Sequence, residues 1–155
     1  MANKPLVYLL EIARHLLPVR EVRGREAISE PFRFEVELYL PEGVELDPDD
    51  LVKSEARLLL ERQDTVRTIT ARVSEAFVRA SIAGRPELTV VLEPRFALSR
   101  YRTNIKIFRN KTAPQIVAEV LGELDVTFDQ RLSETYPVRR YCVQQRETDF
   151  HFVSR

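Results

Sequence analysis

Between Phe32 and Leu40 the chain alternates: Phe32, Phe34, Val36, Leu38 and Leu40 are separated by Arg33, Glu35, Glu37 and Tyr39. A period of two gives a strand with one buried and one wet face. LVYLLEIA (residues 6–13) and the run from Val19 to Ile28 read as two earlier strands, with Gly24 marking a bend or bulge. PEGVELDPDD (41–50) is a loop by its Pro, Gly and Asp content, and Asp50 could start a short helical turn. Four apolar segments follow at short spacing: ARLLLER (56–62), TVRTITARV (65–73), EAFVRASI (75–82) and ELTVVLEP (87–94). Turns are expected at Gln63-Asp64 and Gly84-Arg85-Pro86. Six or seven strands with short connections predict a mainly β fold, an antiparallel barrel or sandwich.

The pattern then changes period. After the strand-like IKIF (105–108), Thr112 is placed to cap a helix with Pro114 in its first turn. Ile116, Val117, Val120, Leu121 and Leu124 recur at helical spacing, giving one amphipathic helix of about three turns whose stripe is expected to lie on the preceding sheet. YCVQ (141–144) returns to strand. Thr148 can cap a last helix opening with Asp149, and Phe150 and Val153 share a face of it. A helix that short is marginal alone, so the chain is expected to belong to something longer. No repeat or flexible linker interrupts the 155 residues.

Composition narrows the classes. Lys plus Arg equals Asp plus Glu at 24 each, so no global charge draws the chain to nucleic acid or anionic lipid. The N-terminal apolar run is broken by Glu11 and Arg14, which weighs against a signal peptide and against stable membrane association. Cys142 is the sole cysteine, as suits synthesis in a reducing cytoplasm. Cys142 with His151 could be drawn as a thiol–imidazole pair, but no orienting third group stands out and the cysteine sits in an apolar strand. The acidic loop residues Glu45, Asp47, Asp49 and Asp50 lack the Gly and terminal Glu of a calcium loop and read as solvated. Arg95, Arg100, Arg102, Lys106, Arg109 and Lys111 form a basic stretch with Tyr101 and Phe108 interleaved. That pattern suits a nucleic-acid groove only on a domain basic overall, which this one is not.

Three blocks carry a resemblance. GREAISEPFRFEVEL (24–38), LEPRFALSRYRTNIKIFRNKTAPQIVAEVLGEL (92–124) and RRYCVQQRETDFHFVSR (139–155) together resemble the VgrG family of type VI secretion tip proteins, related to contractile-phage baseplate hubs. The resemblance spans roughly residues 20–155. It implies a first hub barrel over residues 1–110. Residues 111–155 would be the helix-containing start of an α/β region, packed on that barrel as one globular unit.

It further implies a structural, non-enzymatic part without cofactor or metal, a homotrimer at full length, and docking on a hexameric tail-tube-like protein. Export by the contractile machine without a signal peptide is implied too. The family assigns no contact residue. From charge alone, Asp47, Asp49 and Asp50 on one side and Arg95, Arg100, Arg102 and Arg109 on the other are the candidate assembly interface, since opposite patches on neighbours set register. A phage, prophage or tailocin hub is the alternative machine. A small ligand- or nucleic-acid-binding barrel is the alternative class.

Overall fold

In a computed structural model, which describes residues 7–62, 65–80 and 86–155, the alternating segments form strands β1 (Val7–Ile12), β2 (His15–Ala27), β3 (Glu30–Tyr39), β4 (Glu55–Arg62), β5 (Thr65–Ala80) and β6 (Pro86–Glu93). Their order around the sheet is β1-β2-β3-β6-β5-β4, all neighbours antiparallel, and β1 pairs with both β2 and β4. That second pairing, from Val7 opposite Glu61 to Ile12 opposite Ala56, closes the sheet into a barrel. Closure leaves no free sheet edge for unwanted pairing.

The interior is filled from every strand. Leu10, Ile12, Leu17, Val36, Leu38, Leu58, Val73, Leu88, Val90 and Leu92 are buried there. Gly24 lies opposite Phe34 in the ladder rather than at a bulge. A Cβ at that position would meet Phe34 Cδ1 at 2.3 Å and the Arg33 carbonyl at 2.5 Å, so close approach, not bending, requires the glycine. The two strands expected over 65–82 are one. β5 pairs first with β4 and then with β6, and a register shift between Val73 and Glu75 lets a single strand make that transfer. Between β3 and β4, helix α1 (Pro48–Leu51) is capped by Asp47, whose side chain accepts from Asp49 N–H at 2.9 Å. The expected turns at Gln63-Asp64 and Gly84-Arg85 lie outside the described residues, as does the start of the chain.

The chain divides into two compact units, Met1–Pro94 and Arg95–Arg155. The second opens with a 3₁₀ helix, Arg95–Tyr101, and continues through β7 (Thr103–Lys111), α2 (Ala113–Glu123), β8 (Arg139–Thr148) and α3 (Asp149–Ser154). β7 and β8 pair only with each other, as an antiparallel ribbon. The division expected at residue 110 and this one differ by residues 95–110, because β7 finds its partner about three dozen residues later and not in the barrel. Phe108, Ile116, Val120 and Phe152 form a second core, with Leu124, Cys142 and Val153 packed on it. Thus α2 and α3 cover one face of the ribbon. Thr112 caps α2 in a reciprocal box with Gln115, and Thr148 caps α3 by accepting from His151 N–H at 3.2 Å.

Candidate assembly surface

The barrel wall carries its charge in cross-strand pairs. Arg20 reaches Glu87 at 3.0 Å and Glu37 at 3.6 Å, Arg33 reaches Glu75 at 2.9 Å, and Arg67 reaches Glu26 at 2.6 Å. The hydrogen bond from Arg33 to Glu75 also raises the guanidinium's pKa. Exposed pairs of this kind contribute little stability singly. Their consequence is that most of the wall presents alternating, neutralised charge.

Residues 42–50 differ. Glu42, Glu45, Asp47, Asp49 and Asp50 are all exposed, and no Lys or Arg occurs from residue 41 to 52. Asp47 is engaged as the α1 cap; the other four form no ion pair among the described residues. Among the described residues no group of three or more His, Cys, Asp or Glu side chains is arranged to hold a metal ion.

The basic stretch fares otherwise. It has no acidic residue of its own, but folding brings carboxylates to it. Arg95 donates to the Leu124 carbonyl at 2.9 Å and pairs with Asp125 at 2.9 Å. Arg102 donates to the Glu123 carbonyl at 3.3 Å and pairs with the Glu123 carboxylate at 2.6 Å. Two guanidinium groups therefore close the C-terminal end of α2, where free carbonyls and the helix dipole favour cations. Lys106 also bonds Glu123, and Lys111 bonds Glu119. The hydrogen bond from Lys106, helped by Arg102, holds the Glu123 carboxyl below the usual carboxylate range despite some desolvation. Arg100 lies over the Phe150 ring at 4.6 Å. Of the four arginines singled out by charge, only Arg109 stands on the open side of the ribbon, 5.8 Å from the Tyr141 ring.

That open side is what charge counting missed. Ile105, Ile107, Tyr141 and Val143 are 66%, 58%, 55% and 42% exposed, on the face turned away from Phe108 and Gln144. Ile107 stands opposite Val143, and Arg109 opposite Tyr141. The signal was present in the sequence: Ile105 and Ile107 share one parity and Phe108 has the other, so the strand is apolar on both faces.

Cys142, half-buried, packs against the second core, while His151 is exposed. No helix among the described residues is long and apolar enough to cross a membrane.

These features define a β-barrel domain followed by a helix-covered ribbon, with charged and apolar patches on outer surfaces. Residues 25–155 match the phage tail baseplate hub (GPD) family, and the chain belongs to it. It is 38% identical over 150 residues to the type VI secretion system spike protein VgrG4b of Pseudomonas aeruginosa and 34% identical over 146 to VgrG1b of the same organism. It covers 94% and 93% of itself in these matches but only 18% and 20% of the relatives, so it spans about a fifth of their length. Among solved structures, the E. coli c3393 protein superposes with a TM-score of 0.78 at 29% identity, over 94% of this chain and 41% of that one. It is described as a component of the type VI secretion system with structural similarity to T4 bacteriophage tail proteins gp27 and gp5. The fold is therefore that of a hub domain, and the family is structural.

Proposed function

We propose that the chain is the N-terminal hub domain of a spike protein in a type VI secretion machine, and that it docks on the hexameric tail-tube-like protein. One observation carries the reading: a barrel closed by the β1–β4 ladder in a chain matched by the hub family over 25–155. A closed sheet can be loaded from outside without offering an edge to unzip. In the full-length protein the domain works as part of a homotrimer, made in the cytoplasm and exported by the contractile machine itself. The relatives at 38% and 34% identity are type VI spike proteins, which favours this machine over a phage or tailocin tail. Its role is mechanical, with no cofactor and no nucleic acid.

The test is co-sedimentation of the chain with assembled rings of the tube protein encoded in the same gene cluster. Saturable binding, competed by a full-length spike protein, is expected. Absence of binding at any ratio overturns docking.

A further inference from the structure

The open face of the ribbon has the make-up of a protein contact. Ile105, Ile107 and Val143 give it a β-branched centre, and Arg109 and Arg140 flank Tyr141, their guanidinium groups 5.8 and 5.5 Å from its ring. Neither arginine forms an ion pair among the described residues, whereas Arg95, Arg102 and Arg155 of the same unit do. Ile105, Ile107 and Val143 offer no planar platform for a base, and the one ring of Tyr141 falls short of the succession of aromatic platforms that a single strand stacks on, which favours protein over a single-stranded nucleic acid. Two such faces meeting would bring like-charged arginine rims together, which disfavours pairing of the face with itself. An occupant acidic at its rim suits this face, and residues 42–50 of this chain are such a segment: their carboxylates are exposed, while Val44 and Leu46 between them pack partly against the barrel core.

We propose that the outer face of the β7–β8 ribbon is an interface between copies of this chain, occupied by residues 42–50 of a second copy. The inference rests on the hub reading above and names the contact that reading leaves open. Because the two patches differ, the contact is head-to-tail. Head-to-tail contacts close into rings when the rotation permits.

Sedimentation of the 155-residue chain tests it at about 0.01 M and about 1 M salt, where the screening length is about 30 Å and about 3 Å. Association at low salt that is lost at high salt is expected. The Arg109→Glu/Arg140→Glu chain should lose association by about tenfold or more, a difference of about 1.4 kcal/mol or more. The Glu42→Lys/Glu45→Lys chain, which leaves the α1 cap intact, should lose it likewise. Mixing the two variants should restore it, since each then offers the other a complementary patch. Misfolding cannot mimic that recovery. A wild-type chain that stays monomeric at low salt, or a mixture that stays dissociated, overturns the proposal. If arginine reversal instead weakens only binding to the tube protein, the tube protein is the occupant and self-contact is wrong. Tube co-sedimentation with a monomeric chain leaves the hub reading intact, so the two failures are distinguishable.

Discussion

Asp149 is the residue on which the second unit turns. It is fully buried, and its carboxylate accepts from Asn104 Nδ2 at 2.8 and 3.1 Å, from Gln144 Nε2 at 2.7 Å and from Arg102 Nε at 3.2 Å. Its own N–H donates to the Arg102 carbonyl at 2.9 Å. Four segments are thereby tied at one carboxylate. A buried charge without partners is strongly unfavourable, so this site is stable only when complete. Asp149→Asn keeps the shape but turns an NH₂ toward donors, and should cost about 2–3 kcal/mol in urea unfolding; a loss under half a kilocalorie would show the network to be incidental.

Glu123 offers a second test at this scale. Its carboxyl is held below the ordinary value, so its contribution is complete above the unfolded glutamate range and disappears as pH falls through the lower folded value. Wild type should therefore lose more stability than Glu123→Gln between near-neutral and about pH 3. Parallel acid limbs would remove the assignment. With the Glu123 side chain 36% exposed, the effect is small, and the direction is the measurable part.

Among the elements, β2 and α2 depend on single positions. Gly24→Ala puts a methyl into Phe34 and the Arg33 carbonyl, and should destabilise the barrel by about 1–3 kcal/mol, read from the unfolding midpoint; an unchanged midpoint would mean the β2–β3 ladder shifts freely. In α2, Thr112→Ala removes the hydroxyl that accepts from Gln115 N–H at 3.4 Å and should cost about 1 kcal/mol, detectable as fraying of the first turn by amide exchange.

The same elements show what could be read in advance. The alternation in β3 and the Thr112–Pro114 start of α2 are local signals, and the observed β3 and α2 follow them. The closing β1–β4 ladder is not local, since nothing near Val7 names Glu61 as its partner. The continuity of β5 was hidden by its own bulge. At the start of α3, the capping Thr148 and the acidic Asp149 after it were legible, whereas the partners of the Asp149 carboxylate were not. Arg102 and Asn104 lie more than forty residues away, and Arg146 proves to be the extra residue of a bulge, at φ 49°. The basic stretch misled for the same reason: the Glu119, Glu123 and Asp125 that neutralise it lie on or just past a helix whose placement only folding decides.

For the molecule as a whole, the two units have unequal means of support. Among the described residues the barrel core contains fifteen buried apolar side chains and the second core four. A two-stranded ribbon is marginal on its own and depends on what packs against it; here helices cover one face, and Ile105, Ile107, Tyr141 and Val143 leave the other to water. The second unit should therefore open at lower free energy than the barrel. Hydrogen exchange on the isolated chain should show ribbon amides, such as those of Ile107 and Val143, exchanging well before those of Leu58 and Val90. If a neighbouring copy covers the open face, ribbon protection must rise with protein concentration at low salt while barrel protection stays level, because only species that bind the closed form stabilise it. Equal protection in both units would contradict the unequal cores. Concentration-independent ribbon exchange would instead place the missing cover outside this chain, on the tube or on a further part of the spike.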